Sequence, residues 1–137
     1  MSALSIARSW LPAASDGFAA SASNIANVNT SGSPPGASAP SQAAAGQPAV
    51  YEPVDTVRIG QAGGGVATTY RPRNPGYDLA YRPESRSANA SGIVAQRNVD
   101  PARESGWANN ALRTFQANAD AMRTAPQRQS RALSKLV

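Results

Sequence analysis

Leu4, Leu11, Phe18 and Ile25 recur every seven residues, and Ala7, Ala14, Ser21 and Val28 follow each of them by three, a spacing that holds through almost thirty residues. Such a pattern is a heptad seam, the signature of a helix made to lie along another helix. Large and small residues alternate in it, so a partner can approach closely, as in a crowded bundle. Pro12 and Gly17 interrupt the pattern, and an interior proline costs a helix about 3 kcal/mol. Since the heptad phase survives Pro12, the spacing predicts one kinked helix from Leu4 to Asn29.

The other end of the chain carries a second seam. Asp100 is a candidate N-cap, Pro101 suits the first helical position and Glu104 suits the positive end of the helix dipole. Ala108, Leu112, Phe115, Ala119 and Met122 then alternate spacings of four and three, and the phase resumes at Leu133 and Leu136. Pro126 predicts a bend or short break near Thr124 to Gln127. Arg131 and Lys135 in the last turn suit the negative helix end.

Eleven glycines and eleven prolines, concentrated between Gly32 and Pro83, separate the two seams. Ser31 to Ala49 is an uncharged Ser, Pro, Gly and Ala run, the composition of a flexible linker. Val54 to Ile59 and Val66 to Tyr70 are β-branched runs on either side of Gly60 to Gly65, which predicts a hairpin, and Tyr77 to Tyr81 is a third short run. The expected fold is therefore mainly α: two long terminal helices packed as an antiparallel coiled-coil-like pair, with an extended middle carrying short strands or a hairpin. Its expected segments are 1–30, an N-terminal helix and motif; 31–49, a linker; 50–97, the extended middle; and 98–137, the C-terminal helix.

Composition closes off much chemistry. The chain has no cysteine and no histidine, which removes thiolate nucleophiles and the commonest metal ligand and general base. The glycine run Gly60 to Gly65 has no Lys-Ser/Thr after it and opens no helix, so it reads as a turn and not a phosphate cradle. Asp16, Glu52, Asp55, Asp78, Glu84, Asp100, Glu104 and Asp120 show no spacing that one rigid element would converge on a substrate. No catalytic residue, cofactor or metal site is expected. The net charge of +5 comes from twelve arginines and one lysine and would suit an anionic partner. However, the charges of the C-terminal helix avoid the seam and lack interleaved aromatics, so nucleic-acid binding is not expected. No run approaches the roughly 18 apolar residues of a membrane span, and no secretory signal stands at the N-terminus.

The asparagine-rich string Ser23-Asn24-Ile25-Ala26-Asn27-Val28-Asn29-Thr30 would serve as a helix end and turn. With Ala3-Leu4-Ser5-Ile6-Ala7 before it, the string also resembles the N-terminal signature of the bacterial flagellar basal-body rod proteins. Asn98-Val99-Asp100, Glu104 and Ala111 to Asn118, including Gln116 and Asn118, resemble that family's C-terminal helix, with Phe115 where the family usually has tyrosine. Asn74-Pro75, Tyr81-Arg82-Pro83, Ala88-Asn89 and Gly92-Ile93-Val94 resemble the proximal rod members. The chain departs from the pattern at Ser31-Gly32-Ser33, at Ser105, and at Arg97, where proline is typical.

The resemblance implies a structural subunit of the proximal rod that self-assembles into a helical, torque-transmitting tube across the periplasm. Export would be by the flagellar type III apparatus, without a cleaved signal. Its partners would be copies of itself, other rod subunits, and adaptor or ring proteins of the basal body. Leu4, Leu11, Phe18, Ile25, Leu112, Phe115, Met122, Leu133 and Leu136 are the expected packing residues. The alternative is a basic helical adaptor that binds another protein or nucleic acid.

Overall fold

A computed structural model describes residues 2–34 and 51–134, with the side chains of 129, 132 and 133 outside the description. The elements run in the order α1 (Ala3–Ala26), β1 (Ser31–Gly32), β2 (Val54–Gly60), β3 (Val66–Pro72), β4 (Tyr77–Tyr81), β5 (Ile93–Arg97) and α2 (Pro101–Leu133). Both helices start on their caps. The Ser5 amide donates to Ser2 Oγ, and the amides of Ala102 and Arg103 donate to Asp100 Oδ1 at 2.9 and 3.2 Å. These bonds satisfy donors that the first helical turn leaves without partners.

Among the described residues, five strands in two antiparallel sheets make this an α+β arrangement, which corrects the expectation of a mainly α helix pair with an extended middle carrying short strands or a hairpin. β2 and β3 form a hairpin, and β5 lies between β1 and β4 in a three-stranded sheet. Between Tyr51 and Arg97, β-branched and aromatic residues recur often enough to pair strand with strand, and the glycines and prolines sit in the connections or, as Gly60 and Pro72, at strand ends. Val94 and Ala95 are both fully buried. Successive strand residues point to opposite faces, so β5 is covered on both sides. The linker expectation also changes at its start, where Ser31 and Gly32 pair with Gln96 and Ala95. The rest of that segment, 35–49, lies outside the described residues.

The β2–β3 hairpin lies along α1. At one end Asn24 holds Val54; at the other, Val66 N donates to Ser9 Oγ at 3.0 Å. Between them the Tyr70 hydroxyl donates to Asp16 Oδ1 at 3.2 Å. Burial and the Asp16 charge and hydrogen bond together push the Tyr70 phenol above its ordinary pKa. Gly65, at φ 95°, brings the turn so close to α1 that a Cβ there would lie 2.8 Å from Ser9 Oγ. Both the conformation and the approach require glycine.

The helices pack antiparallel: Asn24 meets Glu104, a Cβ on Gly17 would meet Ala111 Cβ at 3.6 Å, and Ala3, Leu4 and Ala7 share a groove with Ala121 and Ala125. Helix runs through Pro12 and Pro126, so of the bend or short break expected near Thr124 to Gln127 the break does not occur. The seam itself differs from the expected one. The buried residues of α1 are Ala7, Ala13, Ala14, Gly17, Ala20, Ser21 and Asn24, all small or polar, and α2 answers with Ala111 and Glu104. Leu4, Leu11, Ile25 and Met122 are half-buried, whereas Phe18, Leu112 and Phe115 are exposed. Backbones drawn together by alanine and glycine leave no room between them for leucine or phenylalanine, so the bulky residues are displaced to the flanks.

Candidate functional site

Where the last turns of α1 approach the first turn of α2, a buried polar network ties α1, the strand-bearing middle and α2 together. Asn24 Oδ1 accepts from Val54 N at 3.0 Å and from the Tyr51 hydroxyl at 2.9 Å, while Nδ2 donates to Val54 O at 2.9 Å and Glu104 Oε1 at 3.2 Å. All the hydrogen-bonding capacity of this amide is used. Asn24 thus continues the β ladder, bonding both backbone groups of the first residue of β2 as a neighbouring strand would.

Glu104, 0 % exposed, lies on the next link. Arg73 Nη2 donates to Glu104 Oε1 at 2.6 Å and to Asp55 Oδ1 at 2.7 Å, Nε reaches the same Asp55 oxygen at 3.1 Å, and Nη1 donates to Asn98 O at 2.9 Å. Burial opposes the Arg73 charge, but the hydrogen bonds and charges of Asp55 and Glu104 outweigh it and hold its pKa above the ordinary value. Trp107 adds an indole face, with the guanidinium carbons of Arg73 and Arg103 at 5.5 and 5.2 Å from the ring centroid. A buried ion pair is held at a desolvation cost, and removing Arg73 would strand the buried Glu104 charge, whereas Arg73 without Glu104 would keep Asp55.

The network gathers a large part of the resemblance-derived residue set. Ser23 Oγ lies 2.9 Å from the Tyr51 hydroxyl, Asn27 caps α1 by donating to Ser23 O, and Thr30 Oγ1 donates to Asn27 O and accepts from Arg97 Nε. Asn98 Nδ2 donates to Pro75 O, and Asp100 caps α2. Val99 and Ile25 are half-buried beside them; Ala26 and Asn29 are exposed. Gln116 and Asn118 are not brought in. Gln116 is exposed farther along α2, and Asn118 Nδ2 bonds its own helix at Thr114 O. Of the expected packing residues, Leu133 lies in α2 with its side chain undescribed, and Leu136 is outside the described residues.

Sequence reasoning missed Tyr51, Asp55, Arg73 and Trp107. Asp55 and Glu104 stood among carboxylates with no shared spacing, and only the fold brings both onto one arginine. A cation forty-nine residues from one carboxylate's helix partner leaves no local signal; the resemblance flagged Glu104 and Asn24 without saying what they hold.

The second feature is a strip on the outside of the helix pair. Phe18, Leu112 and Phe115, 47, 45 and 38 % exposed, line a shallow apolar groove of about 210 Å³ with Ala14, Ser15 and Ala111. One face of the packed helices therefore presents two phenylalanines and a leucine to the surroundings. Among the described residues, no helix is long and apolar enough to cross a membrane.

Comparison with protein-family models finds no match, and comparison with curated proteins finds none either.

Proposed function

We propose that the chain is a structural subunit of the proximal rod of the bacterial flagellar basal body and acts by assembling, not by catalysis. The observation that carries this reading is the exposed strip of Phe18, Leu112 and Phe115 on the paired helices. Alanine and glycine fill the contact between the helices, which leaves Phe18, Leu112 and Phe115 outside it, placed to meet a neighbour. Isolated exposed hydrophobes are ordinary on protein surfaces, but three large ones around one groove mark an interaction face. The resemblance of both ends to the rod proteins supplies the neighbour: copies of this chain and other rod subunits, with ring or adaptor proteins at the membrane end and the type III export apparatus in transit. Asn24, Asn98 and Glu104, drawn from the two separated motifs, meet in one network through Arg73, which supports reading the motifs together.

The test is a double substitution, Leu112→Asp with Phe115→Asp, at the chromosomal locus of the host. Both side chains are exposed, so the purified variant should keep the circular dichroism spectrum of the parent while rods and motility are lost. Motile cells with intact rods would refute the reading. A salt-dependent shift of labelled DNA by micromolar protein would favour the basic adaptor instead.

A further inference from the structure

Three buried side-chain atoms have no hydrogen-bond partner among the described residues: Thr68 Oγ1, Glu104 Oε2 and Arg97 Nη1. Thr68 is neutral, and Glu104 has Arg73 as its counter-ion. Arg97 is different. The residue is only 4 % exposed, and among the described residues its guanidinium makes one hydrogen bond, from Nε to Thr30 Oγ1 at 3.1 Å, and has no carboxylate within ion-pair distance. A buried charge without a counter-ion is among the costliest features a fold can keep. Burial holds the Arg97 guanidinium below its ordinary pKa against the weaker pull of Tyr51 and Glu52.

Arg97 lines a cavity of about 380 Å³ together with Tyr51, Glu52, Arg73 and Tyr77. Two other polar groups of that wall are already committed. Arg73 is spent on Asp55, Glu104 and Asn98, and the Tyr51 hydroxyl on Asn24 and Ser23. We propose that this cavity is a carboxylate site, in which the Arg97 guanidinium takes one monoanionic carboxylate from a free small acid or from an Asp or Glu side chain of a second copy of the chain. The planar guanidinium fork matches a carboxylate, and Glu52 in the same wall repels a second negative charge, so a dianion such as phosphate is disfavoured. The proposal holds whether or not the chain builds a rod.

The test follows the Arg97 Nε–H resonance of the isotope-labelled wild-type chain, assigned with Arg97→Lys, at neutral pH and constant ionic strength. Sodium acetate should shift it saturably with an apparent Kd of about 1 to 10 mM, whereas sodium chloride should not. Glu52→Gln should tighten the response. A second arm dilutes the protein without acetate. A shift that depends on protein concentration and disappears with Asp78→Asn or Glu84→Gln assigns the carboxylate to a second copy, and supports the site equally. The proposal is overturned if the resonance answers chloride as it answers acetate, if phosphate binds more tightly than acetate, or if neither acetate nor protein concentration moves it.

Discussion

Asn24 and Glu104 carry more of this fold than their size suggests, because each stands between partners from different regions of the chain. Asn24 uses two donors and two acceptor positions on Val54, Tyr51 and Glu104, so even Asn24→Asp, which removes both donors, leaves Val54 O and Glu104 Oε1 without them. Glu104 brings a charge into a site with no solvent access, and Arg73 answers it from the strand connection. Losing one partner of a buried pair costs about 3 to 5 kcal/mol, since the other charge stays behind. Arg73→Leu, which strands the buried Glu104, should therefore lower the unfolding free energy by about that amount in urea denaturation, whereas Glu104→Ala should cost less, because Arg73 keeps Asp55. The double variant should cost much less than the two single losses combined, because the fully buried Glu104 is no longer left without its partner and only the partly exposed Asp55 loses one. Strictly additive losses would show that the pair does not act as a unit.

The two helices differ along their length in what holds them together. Near Asn24 and Glu104 they share charged hydrogen bonds; at Gly17 and Ala111 they meet through small side chains in close approach; beyond Ala117 they meet mainly through alanines beside half-buried Leu4 and Met122. Alanine contacts bury little apolar area, and helical hydrogen bonds there are easily opened from the ends. Amide hydrogen exchange of the dilute chain should thus show protection falling along α2 from Ala111 toward Arg131, by at least about tenfold. Uniform protection along α2 would mean that the alanine stretch is as firm as the polar network. These differences were only partly legible in the sequence. The runs Val54 to Ile59, Val66 to Tyr70 and Tyr77 to Tyr81 announced β2, β3 and β4, since β-branched and aromatic residues recur there between turn glycines and prolines. β5 was hidden, because Ala95, Gln96 and Arg97 carry no strand preference and its burial comes from neighbours on both faces. β1, two residues of serine and glycine, has no pattern to show. The heptads correctly marked the faces that carry apolar residues, but spacing does not say which members face a partner in the same chain. Steric fit decided that: the small members turned inward and Phe18, Leu112 and Phe115 stayed outside.

The exposed strip sets how strongly whole molecules should attract one another. Fully burying a large apolar side chain contributes about 1.5 to 3 kcal/mol, so covering the roughly half-exposed remainder of Phe18, Leu112 and Phe115 contributes about 2 to 4 kcal/mol per copy. Association also loses translational and rotational freedom, at a cost of about 4 kcal/mol or more. One such contact between two copies therefore nets little, and the dimer should be no tighter than about millimolar. A tube differs, because each incoming subunit touches several neighbours at once and the later contacts form at high effective concentration. The chain should then stay monomeric in sedimentation velocity at micromolar concentration and polymerise abruptly above a threshold, or on a preformed seed, without a populated dimer. Ser15→Lys, which places a charge in the groove wall, should raise that threshold while leaving the monomer's helicity unchanged. A stable dimer at micromolar concentration would show instead that the strip closes on a single partner, an isologous arrangement that ends growth instead of propagating it.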